Sequence, residues 1–211
     1  MALSRLYFIT GDLAPLEQIE AACRAGVRLI QLRMKEASDE EFLATAAEAM
    51  KICGGWGSRL IINDRVEVAA ALGAYGVHVG KEDLPVREAR RLLGEGKIVG
   101  GTANTLDDIR EHYRGGADYI GLGPYRYTTT KKKLSPILGL EGYRGVMKQM
   151  EAEGIVVPVF AIGGIGVKDV GGLVEAGVYG IAFSGMLVGA ADQAGMVNDI
   201  LKQFSYVDYC G

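Results

Sequence analysis

Short apolar runs alternate with longer amphipathic stretches along the whole chain. The apolar runs rich in β-branched residues predict strands over Leu6–Ile9, Leu29–Leu32, Leu60–Ile62, Val77–Val79, Ile98–Val99, Tyr119–Leu122, Val156–Ile162 and Ile181–Phe183. Between them the pattern predicts helices. Leu16–Ala25 follows Pro15 and is closed by Gly26. The next opens on Ser38 and Glu41, a capping-box pair, and runs to about Cys53. Further helices are expected over Val66–Leu72, Pro85–Leu93, Leu106–Tyr113, Gly142–Ala152 and Val167–Ala176. A last helix is expected over Met186–Phe204, with Ser205 to Gly211 as a tail.

That makes eight strand–helix units without a linker, which predicts one domain over residues 1–211. Strands alternating with helices imply a parallel sheet, and eight units suggest a closed (β/α)₈ TIM barrel in the α/β class. An open doubly wound sheet is the alternative. No GxGxxG motif opens the first helix, so the dinucleotide fingerprint is missing.

Composition narrows the function. The net charge is −3, which argues against nucleic acid, whose binders present a basic face. An anionic ligand must then be held locally. The 31 glycines among 211 residues exceed the usual share of about 7 %. They gather at element ends and read as tight turns and close backbone approaches. Cys23, Cys53 and Cys210 lie far apart without a CxxC pair, which fits a reducing cytoplasm rather than a disulfide framework. No apolar run is long enough for a membrane span.

Chemistry in such barrels gathers at the carboxyl ends of the strands. Those ends hold Arg33, Lys35, Asn63, Asp64, Asp83, Thr102, the Thr128–Lys131 run, Gly163-Gly164 and Ser184. Two carboxylates beside several cations suit a divalent metal between acid groups and phosphates, and Mg²⁺ takes one or two carboxylates plus substrate oxygens. Asp64 and Asp83 are the expected ligands, although either could cap the helix that follows it. Gln31, Arg33 and Lys35 share one face by period two, with Leu32 and Met34 opposite. The Thr128-Thr-Thr-Lys-Lys-Lys133 run offers hydroxyls and ammonium groups to phosphate oxygens, or is a solvated basic loop. Gly163-Gly164 and Ser184-Gly185 occupy the place of the frequent phosphate site of these barrels, or are ordinary tight turns. His78 reads as a satisfied core histidine, and His112 as an exposed helix residue. No serine or cysteine has a plausible base partner in the sequence, so nucleophilic catalysis is not expected.

The chain resembles the thiamin phosphate synthase family over nearly its whole length. The matching motifs are Gln31-Leu-Arg-Met-Lys35, Ile61-Ile-Asn-Asp-Arg65, Gly76-Val-His-Val-Gly80 with Asp83, Gly121-Leu-Gly-Pro124, Thr128-Thr-Thr-Lys131 and Ala161-Ile-Gly-Gly-Ile165. The resemblance implies a Mg²⁺-dependent transferase that joins hydroxymethylpyrimidine diphosphate to thiazole phosphate. It implies Asp64 and Asp83 as metal ligands, Gln31, Arg33, Lys35, Asn63 and Lys131 around the pyrimidine diphosphate, and Thr102 as a further substrate contact. Of these, Arg33, Lys35, Thr102 and Lys131 are the expected catalytic groups. Thr128, Thr130, Gly164, Phe183 and Ser184 match the thiazole phosphate site. Met34 stands where the family usually has Glu, and Thr102 where it has Ser. The last strand looks one residue shorter than the common form, which bears on Phe183-Ser184. The expected partners are small phosphorylated molecules, and a homo-oligomer is compatible with the sequence. A thiazole tautomerase of the same fold, or a non-catalytic phosphate sensor, is the rival reading.

Overall fold

The computed structural model describes residues 3–127 and 136–208. Parallel strands close into a barrel in chain order, each pairing with the next and the last with the first. They are β1 (Leu6–Ile9), β2 (Leu29–Leu32), β3 (Arg59–Asn63), β4 (Gly76–Val79), β5 (Ile98–Ala103), β6 (Tyr119–Leu122), β7 (Val159–Ile162) and β8 (Gly180–Phe183). The expected (β/α)₈ class is therefore the observed one, and the open-sheet alternative falls.

The helices α1 (Pro15–Arg24), α2 (Asp39–Gly55), α3 (Val66–Leu72), α4 (Val86–Leu93), α5 (Leu106–Arg114), α6 (Gly139–Ala152) and α7 (Val170–Glu175) pack outside the barrel. Ser38 caps α2 by accepting from the Glu41 N–H at 3.2 Å. Two core layers result. Alternate strand residues such as Phe8, Ile30, Leu32, Ile62 and Val77 meet the helices, while Tyr7, Ile9, Leu29, Ile61, Tyr119, Phe160 and Ala182 fill the barrel interior. Period two along each strand produces this division.

Several boundaries differ from the sequence pattern, four of them with a clear physical reason. Residues Gly100, Gly101 and Thr102 belong to β5 rather than to a turn after it. A side chain at Gly100 would stand 2.1 Å from the Tyr119 ring, and one at Gly101 would meet His112 at 2.8 Å. These glycines make room for neighbours inside a strand, where the pattern read them as punctuation. Strand β7 begins only at Val159, because Val156 turns to solvent and Pro158 has no N–H to give. The last helix is two, α8 (Gly185–Val188) and α9 (Gln193–Asp208). Asp192 restarts it, its carboxylate accepting from the Gly195 N–H at 2.8 Å. The expected tail from Ser205 is consequently helical as far as Asp208.

Candidate active site

The described candidates all lie at the carboxyl end of the barrel. Gln31 and Asn63 point inward and are buried, as is Thr102. Leu32 and Met34 face the helix layer, as period two requires. Past the end of β2, the Arg33 N–H donates to the Thr10 hydroxyl (2.9 Å) and Thr10 donates to the Arg33 carbonyl (3.2 Å). Asp12 accepts from the Lys35 backbone N–H at 2.9 Å and lies 3.8 Å from the Arg33 guanidinium. Thr10 and Asp12 were not singled out from sequence, yet they stand at a strand end like every other candidate. That position was the signal available.

Asp64 follows β3 and Asp83 lies in the turn after β4. Their carboxyl groups share a hydrogen bond, and the Lys35 ammonium forms an ion pair with Asp64. Neither carboxylate caps a helix: the cap positions are Arg65 for α3 and Pro85 for α4. The capping alternatives are thereby removed. Asp64 holds a left-handed backbone, φ 61°, uncommon outside glycine. Asp83 is fixed by the Gly80 N–H at 2.8 Å, and a side chain on Gly80 would come within 2.6 Å of its oxygen.

Burial raises the Asp64 carboxyl above its ordinary range, and the adjacent Asp83 raises it further against the pull of Lys35. Burial also pushes Asp83 upward. The hydrogen bond with Asp64, the Gly80 N–H and the Lys35 charge outweigh it and hold Asp83 low. One proton shared between two half-buried carboxyls is the expected behaviour of such a pair. Their oxygens are hard donors on neighbouring strands. Among the described residues no group of three or more His, Cys, Asp or Glu converges, so a cation here would complete its shell from ligand or water.

Arg65, the residue after Asp64, went unremarked in the sequence beyond its place in a motif. Its guanidinium donates to the Met34 carbonyl (3.2 Å) and the Ala37 carbonyl (2.7 Å), pairs with Asp39 (3.0 Å) and stacks on Phe42 at 4.3 Å. It ties the loop carrying Lys35 to the segment carrying Asp64. Arg65→Ala should slow turnover about tenfold or more through misplacement of Lys35, and Arg65→Lys should restore little, because one ammonium cannot span both carbonyls. Steady-state rates and melting curves of the two variants check this; an Arg65→Lys enzyme as fast as the parent would contradict it.

On the opposite side, Gly163 and Gly164 both have positive φ, 95° and 69°. A side chain at Gly164 would lie 2.9 Å from the Tyr127 carbonyl. Arg126 bridges this loop to its own by donating to the Gly164 carbonyl and forming two 2.9 Å bonds with Asp169. Ser184 precedes the four-residue helix α8. The Phe183 ring packs on Phe8 in the helix layer, 6.0 Å between centroids, so only its backbone is turned to the mouth. Thr128, Thr130 and Lys131 lie outside the described residues. His112 is half-buried rather than exposed, its Nε2 2.9 Å from the Thr102 carbonyl. His78 is satisfied within the core, as expected.

A closed parallel barrel with these polar and charged candidates at the carboxyl ends of its strands is the architecture of a (β/α)₈ enzyme. The family model for thiamine monophosphate synthase matches residues 6–187. A thiamine-phosphate synthase of Bacteroides fragilis is 49 % identical over 193 residues, covering 92 % of this chain and 95 % of its own. That of Flavobacterium johnsoniae is 45 % identical over 172 residues, covering 82 % and 81 %. The structure called thiamine phosphate pyrophosphorylase from Pyrococcus furiosus superposes with a TM-score of 0.82 at 30 % identity, over 96 % of each chain. The chain belongs to the thiamine monophosphate synthase family. It is an enzyme, with the transferase activity of that family.

Proposed function

We propose that this enzyme couples hydroxymethylpyrimidine diphosphate to thiazole phosphate, with Mg²⁺ held by Asp64 and Asp83. What carries the reading is the pair of carboxyls in contact at the ends of neighbouring strands, with Lys35 bonded to one of them and Arg33 two residues away. A purely structural role gives no reason to bring two carboxyls together at half-buried positions, where ionised Asp83 resists ionisation of Asp64.

In the reaction, the bond between the pyrimidine methylene carbon and the diphosphate oxygen breaks, and its electron pair leaves with pyrophosphate. The thiazole nitrogen then gives its lone pair to that carbon, forming the C–N bond of thiamin phosphate. Bound Mg²⁺ would neutralise negative charge as it develops on the departing pyrophosphate. Arg33 and Lys35 offer fixed positive charge to the same oxygens, preorganised by Thr10 and Asp12. Arg33 suits two oxygens at once through its planar fork. Gln31, Asn63 and Thr102 supply neutral hydrogen-bonding groups at the floor of the mouth. Lys131 adds a further cation, and Thr128, Thr130, Gly164 and the Phe183-Ser184 backbone receive the thiazole phosphate. No general base is required, since the thiazole nitrogen carries a free lone pair.

The test is stoichiometric. With both substrates and Mg²⁺, pyrophosphate and thiamin phosphate should appear in equal amounts; EDTA should stop both and excess Mg²⁺ restore them. Full rate in EDTA would remove the metal assignment. Isomerisation of a thiazole substrate without pyrophosphate release would favour the tautomerase.

A further inference from the structure

A single file of hydrogen bonds crosses the barrel interior from β2 to β5. The Gln31 amide donates to the Tyr7 hydroxyl at 2.5 Å. Tyr7 and Tyr119 hydroxyls are 2.8 Å apart, Tyr119 is 3.0 Å from His78 Nδ1, and His78 Nε2 is 2.9 Å from the Thr102 hydroxyl. The strands leave space for these rings. A side chain on Gly100 would strike Tyr119, and one on Gly121 would press on His78 at 3.1 Å.

With the Gln31 amide N–H donating to Tyr7, the file runs in one direction. Both phenols are fully buried and neutral, so each has one proton to give. Tyr7 accepts from Gln31 and gives its proton to Tyr119; Tyr119 gives its own to Nδ1. A nitrogen that accepts leaves the ring proton on the other, so Nε2–H donates to Thr102. The reverse direction requires the Gln31 amide turned over, so that its oxygen accepts from Tyr7 and Thr102 donates to Nε2, and the ring tautomer of His78 distinguishes the two.

Resting on the proposed reading of Thr102 as a substrate contact, we infer that His78 is a positioning residue that commits the Thr102 hydroxyl to donating. Because Thr102 accepts from Nε2–H, its own proton remains for a ligand oxygen, and a diphosphate oxygen is the acceptor that reading supplies. His112 holds the same residue by its carbonyl, so both ends of Thr102 are fixed. Gln31 is oriented by the same file, with its carbonyl oxygen turned away from Tyr7. The file thus sets donor and acceptor polarity at two substrate-facing groups on separate strands.

A double-mutant cycle tests this, with pyrophosphate release as readout and melting curves to verify folding. His78→Leu and Thr102→Val should each lower kcat/KM for the pyrimidine diphosphate about tenfold, and leave KM for the thiazole phosphate within about twofold. Together they should be no worse than the weaker enzyme of the two, because one acts through the other. His78→Gln, which keeps a donor near the Nε2 position, should recover part of the loss. Ring ¹⁵N shifts in the unaltered enzyme should show the proton on Nε2. If His78→Leu does not fold, Tyr119→Phe replaces it and should also lower kcat/KM. Multiplying losses, a proton on Nδ1, or a Tyr119→Phe enzyme equal to the parent would each overturn the inference. A harmless Thr102→Val would instead sink the substrate role of Thr102 itself, and with it the ground the relay stands on.

Discussion

Asp64→Asn is expected to cut turnover by about a thousandfold while raising the melting temperature at neutral pH. The loss follows from the proposed metal: removing one of two protein ligands forfeits several kcal/mol of charge stabilisation, and about 4 kcal/mol is a factor of a thousand. The gain has two sources. The Asp64 carboxyl is held above its ordinary value, chiefly by burial and next by Asp83. The native state therefore binds a proton more tightly there than the unfolded chain does. Stability falls as pH rises from the ordinary carboxylate value through the raised one, and the deficit persists above it. Asparagine has no charge to bury and avoids that deficit. The second source is the backbone, because φ is 61° at this position and asparagine tolerates the left-handed region well. Alanine would add strain there, so Asp64→Ala confounds the two effects and is the poorer variant. Thermal melts from pH 4 to pH 8 without metal check the stability arm, and initial rates with both substrates and Mg²⁺ check the other. A variant that melts below the parent at neutral pH would show that Lys35 and Asp64 stabilise the fold more than burial costs it. A variant with full activity would remove Asp64 from the chemistry.

The opposed effects of that substitution also indicate which features a sequence can reveal. Asp64, Asp83, Arg33 and Lys35 were recognisable because each departs from what a strand end needs for folding. Strand positions were legible more simply: β1, β2 and β6 are short, largely apolar runs followed by a polar residue or a glycine. Tyr7 and Tyr119 were not legible, because a tyrosine in a strand satisfies β propensity and raises no question. Their bond joins residues 112 positions apart, and only closure of the barrel brings them together. Arg65 was hidden in a different way. Its work is done through backbone carbonyls of the neighbouring loop, which carry no sequence signature. Gly100 and Gly101 misled because glycine punctuates turns in most contexts, whereas here it yields space to Tyr119 and His112.

Lys35→Met should weaken diphosphate binding and tighten the binding of Mg²⁺ alone. Methionine keeps the length of the stem and removes the charge. In the parent, the ammonium is bonded to Asp64, and any cation approaching the carboxyl pair must displace it or share the site with it. Without Lys35 the acid pair loses its competing cation, so free Mg²⁺ meets less opposition. Pyrophosphate or substrate, by contrast, loses a partner whose charge-assisted bonds are about twice as strong as neutral ones. Turnover should fall about a hundredfold, the scale of one preorganised donor aimed at developing charge. The loop itself should hold, because Asp12 bonds the Lys35 backbone N–H and Arg65 bonds the Met34 and Ala37 carbonyls, none of which involves the ammonium. Calorimetric titrations with MgCl₂ alone and with pyrophosphate in the presence of Mg²⁺ separate the two effects. Affinities that change in opposite directions fit a lysine that neutralises the acid pair and then serves the leaving group. If both decline together, Lys35 acts by holding the carboxyl pair in place, and the charge that stabilises pyrophosphate departure must come from Arg33 and Lys131 instead.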